Sequence, residues 1–191
     1  MRAFLVVVAC CLLTGACDRR PIDATAALPA PGTRVPTFAY PAVGSDSRVS
    51  SEGLRGAPAV IALWSTHCPF QGPAMAAFDS LAREFRAGGV RFVLLADDAP
   101  GRVLDSTLNS VAWRKAVDYI GVAEGSLARR FDQSASVSRD HPYRVEFVLP
   151  SFLLVDGEGN IVRRAFGAAA DVLRPALDSL VRRESRTPAA T

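Results

Sequence analysis

Six consecutive apolar residues, Ala59-Val60-Ile61-Ala62-Leu63-Trp64, predict a strand covered on both faces, the signature of an inner member of a parallel sheet. Met75, Phe78, Ala82 and Phe85 then recur at three- and four-residue spacing. With Pro73 suited to a first helical turn and Gly88-Gly89 as a stop, they predict a helix of about four turns. Val90 to Ala96 predicts a second apolar strand. Val103 to about Lys115 predicts a weaker helix with Leu104, Leu108, Val111 and Ala112 inward, Tyr119-Ile120 a short third strand, and Glu124 to Phe131 a short helix.

The polar stretch Asp132 to Arg144 reads as an inserted loop. Beyond it, Ser151-Phe152-Leu153-Leu154-Val155-Asp156, the turn Gly157-Glu158-Gly159-Asn160 and Ile161 to Ala165 predict a hairpin. The turn has no downstream Glu at the spacing a calcium loop requires. Asp171 is expected to cap a last helix with Leu173, Leu177, Leu180 and Val181 facing the core. Trp64 and Trp113 are assigned to that core. Strands alternating with helices, then a hairpin and a helix, make an α/β fold.

Composition agrees with a folded domain: of 191 residues, 49% are hydrophobic and 21% charged, too apolar for disorder and enough for one sizeable core. The net charge is only +3, and the basic residues, all arginine but Lys115, are scattered. Nucleic acid is therefore not an expected partner.

At the N-terminus, Arg2 precedes the apolar run Ala3 to Leu13, which is too short to span a bilayer of about 30 Å and reads as a signal peptide over residues 1–16. Leu13-Thr14-Gly15-Ala16-Cys17 resembles a lipobox, in which Cys17 becomes the lipid-modified first residue. Asp18 fits inner-membrane retention in a Gram-negative cell, with the domain facing the periplasm. A signal peptide cleaved without lipidation, or an uncleaved anchor, stays open. Residues 17–36, rich in Pro and Ala, read as a tether whose Arg19-Arg20 would lie near anionic headgroups, and residues 184–191 as a frayed tail.

Removing residues 1–16 discards Cys10 and Cys11, and lipidation consumes Cys17. One thiol of the 4 cysteines then remains, Cys68. In an oxidising compartment an unpaired thiol is a candidate reactive group. At the N-terminus of the Pro73 helix its sulfur would meet free backbone N–H groups and the positive end of the helix dipole, which favour a thiolate; a protonated His67 would add to that.

The order of elements, with a Cys between the first buried strand and its helix, is thioredoxin-like. From about Thr37 to Arg182 the chain resembles the membrane-tethered thioredoxin-like proteins of the TlpA/ResA type, within the redoxin group that also holds the peroxiredoxins. The resemblance rests on Ala59 to Trp64, on Ser65-Thr66-His67-Cys68-Pro69-Phe70-Gln71, on Met75, on Val90 to Asp97, and on Leu149-Pro150-Ser151-Phe152-Leu153-Leu154-Val155-Asp156-Gly157.

It implies that Cys68 is the nucleophile, that Pro69 and Phe70 intervene, and that Pro150 is a cis-proline facing the thiol. Gln71 stands where these relatives carry a resolving Cys, and His67 where an aromatic residue is common. Gln71 is either a solvent-facing residue or a hydrogen-bond donor to a thiolate or sulfenic acid. Asp97-Asp98, at the end of a strand, match an acidic position common in these relatives, and are expected to cap the turn that follows them. A copper site at Cys68, His67 and His141 would need the missing second Cys, so no metal or cofactor is expected.

Three function classes follow. The favoured one is a single-thiol disulfide oxidoreductase, with protein thiols or disulfides of the envelope as substrates and an external thiol as reductant. A thiol peroxidase would need the Pro-x-x-x-Thr-x-x-Cys pattern, which Thr66, two residues before Cys68, does not match. The third class is a binding module that keeps the groove without turnover.

Overall fold

The computed structural model describes residues 25–68, 71–133, 147–167 and 170–184. A small antiparallel ribbon, β1 (Ala39–Pro41) and β2 (Arg48–Ser50), precedes the main sheet. Then follow β3 (Ala59–Trp64), α1 (Gln71–Phe85), β4 (Arg91–Ala96), α2 (Arg102–Ser110), β5 (Tyr119–Val122), α3 (Leu127–Phe131), β6 (Ser151–Val155), β7 (Ile161–Phe166) and α4 (Ala170–Glu184). The five-stranded sheet runs β5-β4-β3-β6-β7. β3, β4 and β5 are parallel, whereas β6 is antiparallel to both β3 and β7. This is the thioredoxin architecture.

The apolar run of β3 is explained by its central place. Strand side chains alternate between faces. Val60, Ala62 and Trp64 enter one core with Phe92, Leu94, Phe152 and Leu154, while Ile61 and Leu63 enter a second with Val93, Leu95, Leu153 and Val155. α1, α2 and α4 cover the first core through Met75, Phe78, Leu104, Leu108, Leu173 and Leu177. β1, β2 and α3 cover the second through Tyr40, Val49, Leu127 and Phe131.

The predicted helix over 103–115 divides. α2 ends at Ser110, Val111 is extended (φ −101°, ψ 131°), and a 3-10 turn carries Ala112–Ala116. Trp113 and Ala116 are buried and Ala112 is exposed, because the break lets the Trp113 ring meet Trp64 edge-on at 5.5 Å. The short helix starts at Leu127, after a turn in which Glu124 has φ 52°. Asp171 lies inside the first turn of α4.

Residues 25–36 pack against the domain, where the composition suggested part of a tether. Ala27 and Leu28 are buried. Gly32 N–H donates to Ile161 at 2.7 Å, Ile161 N–H to Thr33 at 2.8 Å and Val35 N–H to Gly159 at 3.0 Å, so the segment covers the start of the β7 edge. The 156–160 turn satisfies itself: the Asp156 carboxylate accepts from Asn160 N–H at 2.8 Å. Cys17, the leader, Pro69, Phe70, His141, most of the insertion and the tail lie outside the described residues. No helix among those described is long and apolar enough to cross a membrane.

Candidate active site at Cys68

Strand pairing brings three loop ends to one end of the sheet. Trp64 is level with Ala96 in the parallel β3–β4 pair, and Leu63 is level with Ser151 in the antiparallel β3–β6 pair. The segments after Trp64, after Ala96 and before Ser151 therefore emerge side by side. The first carries His67 and Cys68, the second Asp97 and Asp98, the third Leu149 and Pro150.

The 65–68 segment turns sharply: Cys68 N–H donates to the Ser65 carbonyl at 3.1 Å. Three residues further on, Gln71 opens α1, so the chain passes from strand to helix next to the thiol. Cys68 is only 7% exposed, and its S–H donates to the Leu149 carbonyl oxygen at 2.8 Å. The Leu149–Pro150 bond is cis. Behind it, the buried Ser151 hydroxyl donates to Val148 at 2.6 Å, which secures the entry to β6. Cys68 thus meets the segment that carries Pro150.

His67 stands clear of the core, its side chain 86% exposed, with Nδ1 3.3 Å from Asp98 Oδ1. The Asp98 carboxylate also accepts from Thr66 N–H at 2.9 and 3.2 Å, from the Ser65 hydroxyl at 3.3 Å and from the Thr66 hydroxyl. Neither acid caps the turn that follows it, contrary to the expectation from sequence: α2 begins at Arg102, preceded by Gly101, with no side-chain cap. Asp97 turns to another element and accepts from Leu127 N–H at 2.9 Å, at the start of α3. Burial pushes the Asp97 carboxyl up from its ordinary range; the Leu127 hydrogen bond opposes this and the neighbouring Asp98 charge adds to it.

A cavity of about 390 Å³ opens beside this cluster, lined by His67, Asp97, Asp98, Pro100, Arg102 and Val103 among others. Val103, at 67% exposure, is the most exposed of the large hydrophobic residues described. Asp98, assigned from sequence to the turn that follows it, instead binds the loop that carries Cys68. No signal in the sequence fixed this partner, since Ser65, Thr66 and His67 are partly or fully exposed and water can serve their donors.

Chemically, the arrangement offers one sulfur at the end of a strand, held against a backbone carbonyl on an adjacent segment, with a charged and polar cluster fixing the loop that carries it. Cys68 is the one cysteine among the described residues.

The same architecture recurs in solved structures. A thiol:disulfide interchange protein from a Bacteroides species is 18% identical with a TM-score of 0.58, covering 79% of this chain and 90% of its own. The thioredoxin domain of a thiol-disulfide oxidoreductase from Bacteroides vulgatus is 16% identical with a TM-score of 0.54, covering 78% and 99%. A secreted disulfide oxidoreductase from Mycobacterium tuberculosis is 20% identical with a TM-score of 0.52, covering 75% and 96%. At these identities the likeness is one of fold. No curated protein sequence matches. The Redoxin family profile matches residues 30–177, the whole sheet and its helices as far as the middle of α4. On that match, the chain belongs to the Redoxin family.

Proposed function

We propose that the protein is an envelope thiol-disulfide oxidoreductase that works through the single thiol of Cys68, tethered to the inner membrane by a lipid at Cys17. The observation that carries this reading is the contact of the Cys68 sulfur with the Leu149 carbonyl, next to a position, Gln71, that supplies no second thiol. In the reaction the Cys68 thiolate attacks one sulfur of a substrate disulfide. A Cys68–substrate disulfide forms, and the other sulfur leaves as a thiolate that takes a proton from water. An external thiol, as thiolate, then attacks the substrate sulfur of that bond. Cys68 departs as a thiolate and the substrate carries a disulfide to the external thiol. The relatives named above, a thiol:disulfide interchange protein among them, support thiols and disulfides as the substrate class.

Trapping decides the matter. In envelope extracts quenched with acid, Cys68 of the parent should be found in disulfide-linked adducts with proteins that an added thiol releases, and Cys68→Ser should yield none. An absence of adducts, together with no thiol-dependent reduction of a peptide disulfide, would remove the oxidoreductase reading.

A further inference from the structure

Asp98 stands just beyond the C-terminal end of β4, and its side chain is 6% exposed. A carboxylate has about four lone-pair sites, and here the donors of Ser65 and Thr66 converge on them, with His67 Nδ1 3.3 Å from Oδ1. The two nearby uses for such an acid are taken or void: Asp97 serves α3, and α2 starts without a side-chain cap. The carboxylate is spent on the loop that carries Cys68.

We propose that Asp98 is the positioning residue for Cys68. Its oxygens hold Thr66 N–H and the hydroxyls on either side of that peptide, which sets the Ser65 carbonyl where Cys68 N–H can donate to it. The sulfur then lies against Leu149 O and faces the Pro150 segment. His67 Nδ1 lies 3.3 Å from the same carboxylate and within hydrogen-bond distance of the Ser65 and Thr66 hydroxyls, at 3.4 and 3.2 Å. Charge-assisted hydrogen bonds are roughly twice as strong as neutral ones, so an amide at position 98, which turns two donors toward this cluster, cannot replace the carboxylate. The inference rests on Cys68 being the nucleophile of the proposed reaction.

The test uses the full chain bearing Cys10→Ser, Cys11→Ser and Cys17→Ser, so that Cys68 is the sole thiol, with Asp98→Asn, Thr66→Val and Thr66→Ser added singly. Three quantities are read well below each variant's Tm: the infrared S–H stretch, the alkylation rate with iodoacetamide, and the rate of mixed-disulfide formation with a peptide disulfide. Asp98→Asn and Thr66→Val should move the stretch toward that of an unbonded thiol. Alkylation should rise and mixed-disulfide formation fall, each about tenfold, the scale of one charge-assisted hydrogen bond. Thr66→Ser, which keeps the hydroxyl, should restore all three.

A lower Tm with stretch and both rates at the parent values would overturn the proposal, as would a Thr66→Ser variant as defective as Thr66→Val. Should Asp98→Asn fail to fold, the Thr66 pair still decides. A parent that forms no mixed disulfide would count against the oxidoreductase reading, while stretch and alkylation would still report on Asp98.

Discussion

The Cys68 thiol donates a 2.8 Å hydrogen bond to the carbonyl oxygen of Leu149, a residue 81 positions away in sequence. The contact exists because β3 and β6 pair antiparallel with Leu63 opposite Ser151, which aligns the exit of one strand with the entry of the other. A sulfur so placed is covered on one side by backbone that a substrate can also reach. At 7% exposure, the sulfur presents little surface to a substrate in this arrangement.

The position of Gln71 leads to a gain-of-function prediction. Gln71 begins α1 three residues after Cys68, and Gln71→Cys should place two Cα atoms about 5.5 Å apart, within disulfide range. The variant should form a 68–71 disulfide under mild oxidant and reduce a model protein disulfide with dithiol kinetics, since an internal thiol acts at an effective concentration that added thiol does not reach. The parent should stall as a mixed disulfide. A folded variant without the bond, seen by mass spectrometry of alkylated peptides, would contradict this placement of the loop.

Peroxide separates the oxidoreductase from a peroxidase. Oxidation of Cys68 to a sulfenic acid should run within about tenfold of free cysteine, because thiolate character and exposure govern the step and this sulfur is covered. Dimedone trapping over time measures it. An acceleration of a hundredfold or more would transfer the assignment to a thiol peroxidase.

Asp97 predicts a pH dependence of stability. Its carboxyl is raised by burial above the ordinary value of 3.8, so the fold prefers it protonated. That contribution is fully present below the unfolded value and is lost as pH rises through the folded one. At neutral pH, Asp97→Asn removes the desolvated charge yet keeps an oxygen for Leu127 N–H. The variant should match or exceed the parent's Tm at pH 7, and its advantage should shrink as pH falls toward 4. A Tm deficit at pH 7 that persists in acid would refute the account.

Phe78 ties α1 to the sheet. It is 1% exposed and meets Phe92 edge-on at 5.4 Å and Phe152 stacked at 5.9 Å. Phe78→Ala should cost about 3–5 kcal/mol, the transfer term plus a cavity that rigid strands cannot close. Chemical denaturation measures the loss, and a cost under about 1 kcal/mol would mean that the core is looser than its contacts imply.

The proposed lipid anchor has its own test. Cys17→Ser should move the protein from the membrane fraction to the soluble periplasm, and intact-mass measurement of the parent should find a diacylglycerol-modified Cys17 at the N-terminus. A parent that is soluble and unmodified would leave the oxidoreductase chemistry in place without the tether.

Burial pattern was readable from sequence because it is local. The run Ala59 to Trp64 needed two apolar covers, and Met75, Phe78, Ala82 and Phe85 needed one, whatever supplied them. With the hairpin at 151–165, these determined the order of elements and placed Cys68 between a strand and a helix. The short ribbon β1–β2 escaped notice, since three-residue strands carry too few positions for a period to register. The packing of residues 25–36 escaped for a related reason: Ala27 and Leu28 sit in a Pro-rich stretch without periodicity, and their burial depends on the β7 edge they cover. The break at Val111 likewise answers to Trp64, a residue on another element.

Asp98 is the sharpest case. Beside Asp97 in sequence it reads as a turn residue, yet one carboxylate goes to α3 and the other to the loop of Cys68. That division was decided by the parallel register of β3 and β4, which sets Trp64 level with Ala96. The sequence by itself determined the buried runs of the main strands and helices and the place of Cys68 between a strand and a helix. Tertiary structure alone decided which carboxylate and which carbonyl meet that sulfur's loop, because strand register sets distances between residues far apart in the chain and no local pattern encodes it.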